Sequence, residues 1–162
     1  MTKLAVSIVL YGSDLALLAQ AIHSLARACD HAARSFALRC TLDLVNNKPD
    51  DARTQAIRDL AGAACTDGLA VTFIDAGVNG GYGAGNNISI RRHADADFHL
   101  VLNPDVLVSE ASLSNALAYL AANLQSACSR PRCAASTGNC ITCASATRPC
   151  STWSCAACLR LH

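Results

Sequence analysis

The sequence predicts an α/β fold in which a mostly parallel sheet carries helices on both faces. Two observations lead there. Four short apolar runs rich in β-branched residues alternate with four stretches whose apolar residues recur at helical spacing. Alternation of that kind gives a parallel sheet covered on both sides. Small, polar or acidic residues also gather where each apolar run ends, and the carboxyl ends of parallel strands are where such sheets bind ligands.

Leu4–Tyr11 (LAVSIVLY) reads as a buried first strand. Gly12-Ser13-Asp14 ends it, and Ser13 or Asp14 can cap a helix over about Asp14–Asp30, with Leu15, Leu18, Ile22 and Leu25 on one face. Leu38–Val45 forms a second strand ending at Asn46-Asn47, Ala52–Ala64 a second helix, and Ala70–Asp75 a third strand. The segment GVNGGYG follows as a loop, then a helix over Ala84–His93. Asp97–Asn103 is the fourth strand, closed by Pro104-Asp105, and Ser109 or Ser112 starts a helix running to about Leu124. After Gln125 the periodicity stops, and no hydrophobic face can be drawn through Ser126–His162.

A chain of 162 residues has room for one domain with a substantial core. Thirteen basic and 12 acidic residues leave no electrostatic footprint for nucleic acid, so no such partner is expected. The apolar run Leu4–Leu10 is too short for a membrane span and lacks a signal peptide's cleavage pattern, so a cytoplasmic protein is expected. Lys3 and Lys48 are the only lysines; arginine supplies the other basic residues, a bias typical of GC-rich coding sequence.

NGGYGAGNN (Asn79–Asn87) is the most specific segment. Glycines allow positive φ and close backbone approach to a phosphate or base. A loop entering a helix offers free N–H groups to an anion, and asparagine can donate and accept toward a base or ribose. A glycine-rich turn without a ligand is the alternative. A dinucleotide fingerprint fits less well, because its glycines should follow the first strand with different spacing. In VLNPDV (Val101–Val106), an acid just past a buried strand can hold a divalent cation against a diphosphate. A proline turn carrying a surface Asp is the alternative there.

Taken in order, VSIVLYGSD, LVNN, FIDAGVNGGYGAGNNISI and DFHLVLNPDV resemble the family-2 glycosyltransferases of GT-A fold, within them the rhamnosyltransferase-like members. The resemblance covers about Leu4–Gln125 and implies a nucleotide-sugar-binding half-domain over residues 1–125. It implies that Asn103-Pro104-Asp105 stands in place of the metal-binding D-x-D motif, with Asp105 contacting Mg²⁺ or Mn²⁺ between the donor's phosphates. It further implies that Tyr11, Gly12, Asn46 and Asn47 line the nucleoside pocket. Many relatives carry Asp where this chain has Asn46. The loop with Asn79, Gly80, Gly81, Tyr82, Gly83 and Asn86 would close over the nucleotide. The implied reaction is inverting transfer of a sugar, from dTDP-rhamnose, to a cell-surface polysaccharide or lipid-linked acceptor, with possible peripheral membrane association at the inner face of the cytoplasmic membrane. A base deprotonates the acceptor hydroxyl while the metal stabilises the leaving diphosphate. In the family the base lies well beyond the metal site, so no catalytic residue is assigned. His93, His99, Asp95 and Asp97 read as helix-end and strand-edge residues.

Of ten cysteines, only Cys29, Cys40 and Cys65 precede Gln125. Cys140-x2-Cys143 and Cys155-x2-Cys158 have zinc-ligand spacing, which gives the alternative of a zinc-binding or interaction module fused to a nucleotide-binding domain. A second account explains the cysteines differently. In GC-rich codons read one nucleotide out of register, Ser126–Asn139 gives VGMLTPALRGVDGE, and the following stretch yields QRYPSLLDLVLRGL with helical leucine spacing restored. Leucine codons shifted by one base become cysteine codons. Residues 126–162 are then an out-of-frame, disordered tail whose CxxC pairs are accidental. On this account the purified chain carries no stoichiometric zinc by elemental analysis. One tightly held zinc per chain, lost on mutating Cys140 or Cys155, contradicts it.

Overall fold

The computed structural model describes residues 1–48, 51–123 and 157–161. The elements run β1 (Thr2–Leu10), α1 (Leu15–Ala33), β2 (Leu38–Asn46), α2 (Thr54–Ala63), β3 (Leu69–Asp75), α3 (Gly81–Arg92), β4 (Phe98–Leu102), α4 (Glu110–Ala122) and β5 (Ala157–Leu161). They build a five-stranded sheet in the order β3-β2-β1-β4-β5. The first four strands pair in parallel, and β5 runs antiparallel to β4. The rest of the cysteine-rich tail, including the CxxC pairs' first cysteines and the expected disorder, lies outside the described residues.

Strand alternation gives the sheet two unlike faces. Leu4, Val6, Ile8 and Leu10 of β1, Leu42 and Leu44 of β2, and Leu100 and Leu102 of β4 pack on Leu18, Ile22 and Leu25 of α1, Ile57 of α2, and Leu113 and Leu117 of α4. This apolar layer is the main core. Asp14 caps α1, its carboxylate accepting from Ala16 N and Leu17 N at 2.7 and 3.1 Å, which satisfies two of the helix's free donors. Cys29 and Cys40 are buried free thiols within the same layer. Their hydrogen bond and their burial push the Cys40 thiol up from its ordinary pKa.

The opposite face carries α3. There β1 offers Ser7 and Val9, β2 offers Asp43, and β4 offers His99, all buried. Helices therefore cover both faces, as the sequence predicts. The chain steps from β1 through β2 to β3 with α1 and α2 on one face. It then returns to β4 with α3 on the other, as right-handed crossovers require. The order reverses beside β1.

α1 runs on to Ala33, β1 begins at Thr2 and α2 at Thr54, and the difference that bears on the site is the start of α3. The sequence predicts a loop through Gly83, whereas α3 begins at Gly81. Glycine's poor helix propensity argues for a loop, but Asn79 Oδ1 accepts the Gly81 N–H at 3.0 Å and anchors the first turn. Farther along, a Cβ on Gly85 would lie 2.9 Å from both Val9 methyls, so the helix approaches β1 at glycine distance. Gly85→Ala should cost about 1–3 kcal/mol by overpacking, despite alanine's better helix propensity. Gly62→Ala, where a Cβ in α2 would meet nothing within 4 Å, should be neutral or stabilising by up to ~1 kcal/mol. Urea melts of the two variants test the contrast.

Candidate functional site

The candidate site lies along the carboxyl edge of the parallel strands, centred on the reversal beside β1, where open α/β sheets form their ligand crevice. Four segments leave the sheet there: Tyr11-Gly12 after β1, Asn47-Lys48 after β2, Ala76–Gly80 after β3, and Asn103–Asp105 after β4. Two backbone bonds extend the ladders past the strand ends, Asn47 N to Leu10 O at 2.8 Å and Ala76 N to Asn46 O at 2.9 Å.

Asparagines fix the entry to α3. Asn47 Nδ2 donates to Asn79 Oδ1 at 3.0 Å, and Asn47 Oδ1 accepts from Gly80 N at 3.2 Å. Asn79 Oδ1 also accepts from Gly81 N. Gly81 has φ +82° and space within 4 Å of its would-be Cβ, a backbone setting glycine alone adopts readily. Asn46 is buried and folds onto Lys48, donating to its carbonyl at 3.0 Å and accepting its N–H at 3.3 Å. Asn46 and Asn47 thus turn their side chains to the loop framework.

The Tyr82 hydroxyl donates to Asn103 Oδ1 at 2.8 Å. This bond brings the glycine-rich segment and the Asn103-Pro104-Asp105 turn together, although they lie 21 residues apart. Asp105 is exposed, and its carboxylate makes no hydrogen bond or ion pair among the described residues. Tyr11 stands at the edge of the sheet, 62% exposed, and Gly12 turns the chain with φ +68°. Gly83 lies in the first turn of α3, where an added Cβ would meet nothing within 4 Å.

Asn86 is placed differently from the other candidates. It is 2% exposed, beneath α3, with Nδ2 donating to Tyr82 O at 3.0 Å and Oδ1 accepting from Ser7 Oγ at 2.7 Å. Both ends of its amide are engaged inside the protein.

Several polar residues escaped the sequence reading. Arg53 holds Asp51 through Nε and Nη2, each at 3.0 Å, and donates from Nη1 to Ser13 O at 2.8 Å. It thereby ties the start of α2 to the turn after β1. The Arg53 hydrogen bonds hold the Asp51 carboxyl below the usual carboxylate range, against the opposing effect of burial. Asp43, 1% exposed, accepts from Ser89 Oγ at 2.8 Å and lies 3.0 Å from His93 Nε2. His93 caps the end of α3, as its helix-end reading expects. His99 is not a strand-edge residue: it is 1% exposed within β4, its Nε2 3.1 Å from Ser7 Oγ. The one signal available was a polar residue inside each of three apolar runs. Asp95 and Asp97 are exposed and bond to Lys3, at its Nζ and its backbone N–H.

No family model matches the chain, and no curated protein matches it by sequence. Solved structures do. S. aureus TarS 1-349 in complex with UDP-GlcNAc aligns with TM-score 0.59 and 19% identity, over 76% of this chain and 32% of that one. The same protein without that ligand gives TM-score 0.58 and 18% identity, over 76% and 33% of the two chains. Mannosyltransferase PcManGT from Pyrobaculum calidifontis, in complex with GDP-Man and Mn²⁺, gives TM-score 0.57 and 20% identity, over 73% and 32%. The chain therefore spans about a third of the length of these proteins. These neighbours are GT-A-type glycosyltransferases, and the likeness establishes that this chain has their α/β, GT-A-like fold.

Proposed function

We propose that this chain supplies the nucleotide-diphosphate-sugar-binding part of a glycosyltransferase. The observation that carries the reading is the Tyr82–Asn103 bond, which ties the glycine-rich start of α3 to the turn that carries Asp105. A helix start offers backbone N–H groups and positive potential to phosphates. A hard oxygen donor on that turn suits Mg²⁺ or Mn²⁺, and substrate phosphates normally complete such a shell. Among the described residues no cluster of three or more His, Cys, Asp or Glu could hold a metal alone, so the reading needs the diphosphate's oxygens to complete the cation's shell. The structural neighbours bound to UDP-GlcNAc and to GDP-Man with Mn²⁺ support the same reading.

In this role Tyr11 and Gly12 border the nucleoside, Gly80 and Gly81, their N–H groups held by Asn47 and Asn79, shape the turn that brings the start of α3 at Tyr82-Gly83 to the diphosphate, and Asp105 contacts the cation. Asn46, Asn47 and Asn79 hold the loops that present these groups. A divalent cation bound there would neutralise charge growing on the leaving diphosphate. The sequence resemblance favours dTDP-rhamnose as donor, inverting transfer, and a polysaccharide or lipid-linked acceptor at the cytoplasmic membrane. No helix among the described residues is long and apolar enough to cross a membrane. The sequence resemblance puts the acceptor site and the base beyond the metal-binding turn.

Calorimetry with dTDP, UDP and GDP, each with Mn²⁺ and with chelator, tests the proposal. At least one diphosphate should bind more tightly with Mn²⁺. Asp105→Ala should remove about 10- to 100-fold of that metal-dependent gain. Equal metal dependence in wild type and variant removes Asp105 from the site.

A further inference from the structure

Three buried polar side chains under α3 form a directed chain that ends at the candidate metal turn. Asn86 Nδ2 faces the Tyr82 carbonyl, an acceptor only, so Oδ1 must be the atom facing Ser7. An amide oxygen only accepts, so the single Ser7 hydroxyl proton points to Asn86. The contact between Ser7 Oγ and His99 Nε2 at 3.1 Å must then be His99 donating. The order is fixed: His99 Nε2–H to Ser7 Oγ–H to Asn86 Oδ1, then Asn86 Nδ2–H to Tyr82 O, and Tyr82 O–H to Asn103 Oδ1. It leaves β4 at His99 and returns just beyond that strand at Asn103.

Ser7, Asn86 and His99 are 0%, 2% and 1% exposed. Burying polar groups is costly unless each is satisfied, and a satisfied network rigidifies what it joins. Apolar side chains would pack α3 equally well without that demand. What they would lack is a set distance between the first turn of α3 and the turn after β4.

We propose that Asn86 is a positioning residue: through Ser7 and His99 below and Tyr82 above, it fixes the Asn103-Pro104-Asp105 turn relative to the phosphate-facing start of α3. This deepens the nucleotide-diphosphate reading and rests on it. Asn86 touches no ligand; it acts through Tyr82 and Asn103 on where Asp105 presents its carboxylate to the cation.

The test uses the full chain and two variants. Tyr82→Phe removes only the terminal hydroxyl. Ser7→Ala combined with Asn86→Leu replaces the buried chain with apolar volume. Thermal melts report folding, and affinity for whichever of dTDP, UDP and GDP the wild type binds most tightly is measured with Mn²⁺ and with chelator. The readout is the ratio of the two affinities, which a purely structural role leaves unchanged. Both variants should lose about tenfold of that ratio, the scale seen when groups that orient a metal ligand are removed. A wild-type ratio in a folded Ser7→Ala/Asn86→Leu chain overturns the positioning role, as does a wild-type ratio in Tyr82→Phe should the double variant not fold. Absence of binding by the wild type to dTDP, UDP and GDP alike overturns the nucleotide reading itself. The chain's direction is tested without nucleotide: ¹⁵N imidazole spectra should show His99 protonated at Nε2. A neutral Nδ1–H tautomer in the wild type refutes the order.

Discussion

α3 reaches the sheet by close backbone approach and buried hydrogen bonds, and the candidate cleft depends on that docking. Its buried residues are Gly85, Asn86, Ser89 and Ile90, a face with one large apolar side chain. Ordinary helices are held by a broad apolar stripe. Here Gly85 against Val9, Asn86 against Ser7, and Ser89 and His93 against Asp43 take that role. Directional contacts fix a helix's position along its axis more tightly than apolar contact does, and position along the axis decides where the first-turn amides stand. The opposite face needs no such precision, and its leucine and isoleucine layer supplies bulk stability.

The Asp43 group shows the cost and the gain together. A carboxylate at 1% exposure needs partners, and one of its oxygens lacks a hydrogen bond, with Arg92 Nε at 3.9 Å. Its other oxygen meets both Ser89 and His93, which clamps the C-terminal half of α3 to β2. The N-terminal half is held by Asn86 and by the Asn47–Asn79 pair. Arg53 provides the matching brace on the other side of the crevice, between the start of α2 and the turn after β1. Among the described residues, the turns after β1, β2, β3 and β4 are each tied to a neighbour, while the Asp105 carboxylate is not. That leaves the Asp105 carboxylate open among hydrogen-bonded turns, and held surroundings are what preorganised ion sites require.

The four parallel strands were legible because their apolar runs are short, β-branched and bounded by turn residues, and alternation with helices leaves few topologies. α1 was legible from Leu18, Ile22 and Leu25 at helical spacing and from Asp14 as cap. The start of α3 was not, because glycines at 81 and 83 speak against a helix until the partners of Asn79 and Asn47 are known. The candidate site was legible as a set of strand ends, but not as a division of labour. Nothing in NNK or GNN says that Asn46 and Asn86 turn inward while Asp105 stays open; that depends on which strand face each residue meets. Arg53 and Asp43 were invisible and His99 was misplaced for the same reason, since a polar residue declares its importance only once its partners across the fold are in place. β5 escaped too, because its ACLRL segment sits in a stretch without pattern.

The central claim is that the loops after β1, β3 and β4 surround one nucleotide-diphosphate cleft. Hydrogen–deuterium exchange of the whole chain with and without dTDP and Mn²⁺ tests it most directly. The account predicts slowed exchange together at Tyr11-Gly12, Gly80–Gly83 and Asp105-Val106, with no change across α1 and α4 on the apolar face. Protection confined to one of these loops, or found on the α1–α4 face, would contradict it.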